Sequence, residues 1–109
     1  KFFKVPKQLP QVKTSWLAFP LTITFNAPFS RMELVKYLET NNIQTRPIFT
    51  GNVLRQPAFK KINYKNIGKE FSVANNIMEN SFLIGCNHGL NEKHMEKIKQ
   101  SFTSFLDRF

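Results

Sequence analysis

Met95, Ile98, Phe102, Phe105, Leu106 and Phe109 recur in steps of three and four, with lysines and glutamates between them. A helix gathers such positions onto one stripe, and a stripe that apolar has to be covered by another element. Asn91 stands just ahead of it, a residue type that satisfies the free N–H groups at a helix start. The last helix is therefore expected from Asn91 to Phe109, packed on something built from the preceding residues.

Those residues supply the other layer. From Ser15 to Phe25 the chain alternates: Leu17, Phe19, Leu21, Ile23 and Phe25 fall on one face, and Ala18, Pro20, Thr22 and Thr24 on the other. Period two marks a strand with one buried side. Pro20 has no N–H for a ladder, so its stretch of the strand belongs at an edge. Ser30 and Glu33 form a capping box for a helix running to about Asn41, with Leu34, Val35 and Leu38 inward. Asn41-Asn42 ends it, because asparagine tolerates the left-handed conformation. Ile43 to Phe49 reads as a second strand broken by Pro47, and Thr50-Gly51-Asn52 as a loop. Residues 53 to 70 look irregular. Ser72 is expected to cap a short helix to about Asn80, with Val73 and Ile77 inward. Phe82-Leu83-Ile84 reads as a third strand, followed by the loop Cys86-Asn87-His88-Gly89.

The order strand–helix–strand–loop–helix–strand–helix predicts an α+β fold, a small three-stranded sheet with helices packed on one face. Residues 1–14 read as an extended lead-in segment and 15–109 as one domain. With 109 residues, 41% of them hydrophobic and twelve of them Phe, the chain has the material for a core. That composition excludes a disordered chain. No apolar run approaches the roughly 20 residues that cross a membrane. The start, Lys1 to Lys7, is too short and charged for a signal peptide and has no initiator Met, as expected of a fragment or of a processed chain. One cysteine, Cys86, cannot form an internal disulfide, which suits a reduced, cytoplasmic setting.

The net charge is +9. Sixteen Lys and Arg are spread singly and in pairs, the longest run being Lys60-Lys61. A nucleic-acid arm clusters them more densely, so a solvated surface is expected and nucleic acid is not. The carboxylates Glu33, Glu39, Glu92 and Glu96 lie on helix surfaces and form no acid/base pair. Cys86, His88 and His94 match no zinc spacing, and no metal site is expected. No catalytic set is complete in the chain. The segment Gln44 to Phe59 is the informative one. Arg46, Asn52, Arg55 and Gln56 sit there beside aromatic anchors and a Gly turn, the mixture a sugar or phosphate site uses. A purely structural role is open for Arg46, as a strand residue pairing with a helix carboxylate.

The string TRPIFTGNVLRQPAF (Thr45 to Phe59) resembles the C-terminal domain of the DegT/DnrJ/EryC1/StrS group of sugar aminotransferases. SWLAFPLTI (Ser15 to Ile23), LVKYLE (Leu34 to Glu39), NNIM (Asn75 to Met78) and FLIGCNHGL (Phe82 to Leu90) match in the same order and spacing, so nearly the whole chain takes part. Within the group it looks closest to the sugar 3-dehydrases, which use pyridoxamine phosphate and include enzymes of dideoxyhexose synthesis for lipopolysaccharide. Typical aminotransferases of the group carry a His where Leu54 stands; the form Gly51-Asn52 … Arg55-Gln56-Pro57 resembles the dehydrases. Some relatives have an Arg where Asn76 stands, and Asn76 supplies neither its charge nor its fork.

The resemblance implies about the last quarter of an enzyme whose upstream large domain, of aspartate-aminotransferase type, holds pyridoxal or pyridoxamine 5′-phosphate. It implies a homodimer, a nucleotide-sugar substrate, and a small domain that closes over the site through Arg46, Asn52, Arg55 and Gln56. In the dehydrases a His replaces the Schiff-base Lys and serves as the base; that position lies outside this chain. An ordinary sugar aminotransferase is the alternative, and a free-standing basic binding module a third.

Overall fold

A computed structural model describes residues 1–65 and 71–109. Of the irregular stretch expected over 53–70, residues 66–70 lie outside the described residues. The described strands are β1 (Phe3–Lys4), β2 (Ala18–Ile23), β3 (Thr45–Pro47) and β4 (Ser81–Gly85), and the helices are α1 (Arg31–Thr40), α2 (Ser72–Asn80) and α3 (Glu92–Leu106). Two short 3-10 turns, Val53–Arg55 and Pro57–Phe59, follow β3.

The fold is α+β, with one antiparallel sheet in the order β1-β2-β4-β3. It has four strands where three were expected. The additional strand is β1, in the lead-in segment, where Phe3 and Lys4 pair with Ile23 and Thr22. Two residues carry no legible period, so alternation could not show it. Pro20 pairs in register with Leu83. The Thr24 N–H points to β1, donating to Phe2 O at 2.9 Å, and by the two-residue period so does the Pro20 nitrogen. The β1 ladder stops at Thr22, so Pro20 falls where that side of the strand is a local edge.

The register places Phe3, Phe19, Leu21, Ile23, Phe82 and Ile84 on one face of the sheet. α1 and α3 cover it. Leu21, Ile23, Phe29, Leu34, Leu38, Ile43, Phe82 and Phe105 make the buried core, with Ile98, Phe102 and Leu106 packed against it. Phe29 meets Phe105 edge to face at 5.0 Å and Phe3 meets Phe102 at 5.8 Å, the geometry aromatic quadrupoles favour. α2 gives no residue to this cluster and touches β2 and β4 instead.

The caps follow the sequence reading with one correction. Ser30 Oγ accepts from the Glu33 N–H at 3.2 Å, and Glu33 returns a carboxylate oxygen to the Ser30 N–H at 2.7 Å. Asn91 Oδ1 accepts from the His94 N–H at 3.2 Å, and His94 Nδ1 accepts from the Asn91 N–H at 3.1 Å. After α1, Asn42 takes the left-handed conformation at φ 59°. At α2, however, Ser72 is the first helical residue and makes no side-chain cap; the cap position belongs to Phe71 at φ 44°.

Five apolar residues expected inward are exposed: Leu17, Phe25, Val73, Met95 and Phe109, the last of which lies past the end of α3 at Leu106. Leu17 and Phe25 lie beyond the ends of β2, and Val73 and Met95 sit in the first turns of their helices. The periodic stripe outruns the surface that covers it at each of these places.

Candidate functional site

Glu39, near the end of α1, positions the start of the site. Its Oε1 accepts from the backbone N–H of Thr45 and, at 2.7 Å, from the Thr45 hydroxyl. These bonds, the side-chain one first, hold the Glu39 carboxyl below its ordinary value, and the nearby Arg46 guanidinium adds to the effect. Arg46 itself is exposed on β3 and donates from Nη1 to the Thr45 carbonyl at 2.8 Å.

β3 runs into the loop that carries the other three candidates. Gly51 has φ +68°, and a Cβ there would stand 2.5 Å from Met78 Cβ, so only glycine suits both the backbone and the space. Asn52 is 7% exposed. Its Nδ2 donates to Asn75 Oδ1 at 2.8 Å and its Oδ1 accepts from the Leu54 N–H at 3.0 Å. The side chain thus fixes the first 3-10 turn and binds it to α2. Arg55 closes that turn with its Nη1 on the Glu79 carboxylate. Gln56 donates from Nε2 to the Thr50 carbonyl at 3.2 Å, folding the loop back on itself.

The structure therefore brings Asn52, Arg55 and Gln56 onto one loop, with Arg46 on the strand that leads into it. It also shows what sequence reasoning missed. Asn75, Met78 and Glu79 meet Asn52, Gly51 and Arg55 respectively. Their spacing of three and four puts them on one face of α2. That spacing was the available signal, but an Asn, a Met and a Glu make no apolar stripe. α1 joins the same cluster, since Arg31 Nε donates to the Glu79 carbonyl at 2.9 Å.

Chemically the loop offers planar guanidinium donors and a carboxamide beside exposed apolar groups, among them Phe49 and Val53. Such a surface suits a phosphate or a polyhydroxylated ligand with an apolar edge. A cleft of about 250 Å³ lies elsewhere, between the β3–β4 end of the sheet and α3, lined in part by Gln44, Ile84, Asn87, His94 and Lys97. Cys86 and His88 border another groove with Trp16 and Leu17. None of the four candidates lines either one. Among the described residues no group of three or more His, Cys, Asp or Glu could hold a metal ion. No helix among them is long and apolar enough to cross a membrane.

Comparison with known proteins gives the site its context. The chain is 34% identical over 106 residues to the lipopolysaccharide biosynthesis protein RfbH of Salmonella typhimurium, covering 97% of this chain and 24% of that protein. It is 31% identical over 102 residues to a dTDP-4-dehydro-2,6-dideoxy-D-glucose 3-dehydratase of Saccharopolyspora spinosa, covering 94% of this chain and 22% of the relative. Among solved structures it superposes on the Escherichia coli GDP-4-keto-6-deoxy-D-mannose-3-dehydratase with bound hydrated PLP. There the TM-score is 0.70 and the identity 26%, over 92% of this chain and 25% of that one. The chain thus spans about a quarter of the length of the relatives it matches, and the similarity runs to the 3-dehydratase branch. The sequence profile described as the DegT/DnrJ/EryC1/StrS aminotransferase family matches residues 2–103, and the chain belongs to that family.

Proposed function

We propose that this chain is the C-terminal small domain of a nucleotide-sugar 3-dehydrase, acting on a 4-keto-6-deoxyhexose in dideoxysugar and lipopolysaccharide synthesis. Residues 15–109 form that domain, and 1–14 lead in from an upstream cofactor domain and add β1 to its sheet. One observation carries the proposal: relatives named as 3-dehydratases, or for lipopolysaccharide synthesis, align along almost the whole chain at about a third identity.

The cofactor is pyridoxal or pyridoxamine 5′-phosphate, bound upstream. Every lysine and both histidines among the described residues are exposed, so neither a buried Schiff-base Lys nor a buried His in its place is offered here, and this chain alone does not fit the group. When bound, it supplies an electron-withdrawing ring that favours loss of the sugar 3-hydroxyl. No step of that chemistry falls to residues of this chain.

What the chain contributes is binding and orientation. Arg55 contacts the nucleotide diphosphate, its planar fork matching phosphate oxygens in pairs. Arg46, one strand earlier, adds positive charge at the same mouth. Gln56 bonds a sugar or cofactor group through the carboxamide oxygen that its bond to Thr50 leaves open. Asn52 serves the site by fixing the shape of the loop, since both ends of its amide are engaged within the chain. The assembly is a cytoplasmic homodimer, with the small domain closing over a site at the subunit interface.

Arg55→Ala in the full enzyme tests this. Losing a hydrogen bond to a charged group costs about 1.5–3 kcal/mol, a rise of roughly ten- to a hundredfold in KM. Unchanged turnover and KM would remove Arg55 from the site. The aminotransferase reading has the family's own description in its favour. A Lys in place of His at the upstream Schiff-base position would establish it.

A further inference from the structure

We infer that Glu79 is a positioning residue for Arg55, presenting the guanidinium to the diphosphate; this rests on the nucleotide-sugar role proposed above. Glu79 is fixed from several sides. Its backbone carbonyl takes the Arg31 Nε bond at 2.9 Å, tying the end of α2 to the start of α1. Two residues later the chain enters β4 at Ser81, which is 1% exposed and hydrogen-bonded to Thr22 Oγ1 at 2.8 Å. β4 lies inside the sheet, between β2 and β3. The Arg55 backbone is equally constrained, by the Asn52–Asn75 bond and by the close seat of Gly51 on Met78. The ion pair therefore joins two anchored backbones.

Its side chains are about half exposed, 48% for Arg55 and 56% for Glu79. Exposed pairs add little to stability because water screens them, so a stabilising role does not explain the arrangement. The pairing engages Nη1 of Arg55. A guanidinium has five N–H donors in one plane, and holding one corner sets the direction of the others. Coulomb's law alone says that a carboxylate beside an anion site weakens binding, so removing it should tighten binding. Positioning predicts the reverse. The two can be told apart by sign.

The experiment is calorimetric titration of the full-length enzyme with GDP, CDP and dTDP, following whichever binds. Glu79→Ala is expected to weaken binding about three- to thirtyfold, within the coupling range of paired side chains, and to leave the unfolding midpoint nearly unchanged. In an Arg55→Ala background the same change is expected to add nothing. Glu79→Gln, which keeps the length and one acceptor, should fall between and guards against a local folding defect in the alanine variant. Unchanged or tighter binding in both Glu79 variants, with Arg55→Ala still weakened, would overturn the positioning role and leave the site intact. An equal loss with and without Arg55 would overturn it too. If Arg55→Ala binds normally, or no nucleotide binds, the reading beneath it fails.

Discussion

Glu39 does at one point what the rest of the site does over many residues: it joins α1 to the start of β3. Its carboxyl is held below the ordinary value of 4.5, first by the Thr45 hydroxyl and then by the Thr45 N–H. A carboxylate with a lowered folded-state value contributes stability that is fully present above the unfolded value and is lost as pH falls through the folded one. Protection of the Thr45 amide against hydrogen exchange, corrected for intrinsic rate, is thus expected to hold near neutrality and fall below about pH 4.5. Glu39→Gln should show weaker protection and a flatter profile. A profile identical to that of the unchanged chain would remove Glu39 from this role. The residue types of the site were legible, because two arginines, an Asn, a Gln and a Gly turn crowd into one segment. Their partners were not. Asn75 lies 23 residues from Asn52 and Glu79 lies 24 from Arg55, and no local period spans such distances. Nor could composition show that Asn52 turns inward while Arg55 stays half exposed.

Among the elements, α3 holds the core together through Phe105, Ile98, Phe102 and Leu106. Its start depends on the reciprocal Asn91–His94 cap. Asn91→Ala removes an acceptor that a helix start needs, at a cost of about 1 kcal/mol, and thermal unfolding should report a lower midpoint. No change would mean that packing alone sets the first turn. This helix was the most legible element, since length and a sustained stripe reinforce each other. The capping box at Ser30 and Glu33 was legible for a similar reason, as the chemistry of four consecutive residues. Short pieces were harder. β1 has two residues and β3 has three, too few to show alternation. The expected second strand, Ile43 to Phe49, shrank to Thr45–Pro47 because the cap of α1 takes one end and the site loop the other. Exposure at Val73 and Met95 has a different cause. Periodicity shows which face is apolar, not how far the neighbouring surface extends.

For the whole molecule, the domain is one sheet with α1 and α3 on the core face and α2 bracing the loop that follows β3. Leu17, Phe25 and Phe49 are 94%, 101% and 89% exposed. The dehydrase role itself is tested most directly on the product. The complete enzyme, supplied with pyridoxamine phosphate in stoichiometric amount and a nucleotide-linked 4-keto-6-deoxyhexose, is expected to release a sugar lacking its 3-hydroxyl, seen by mass spectrometry as the loss of one oxygen, with one pyridoxal phosphate and one ammonia formed per sugar because the pyridoxamine carbon supplies the two electrons and takes up the oxygen. A stable product that has gained an amino nitrogen and kept that oxygen would contradict the dehydrase role and make this the small domain of an aminotransferase.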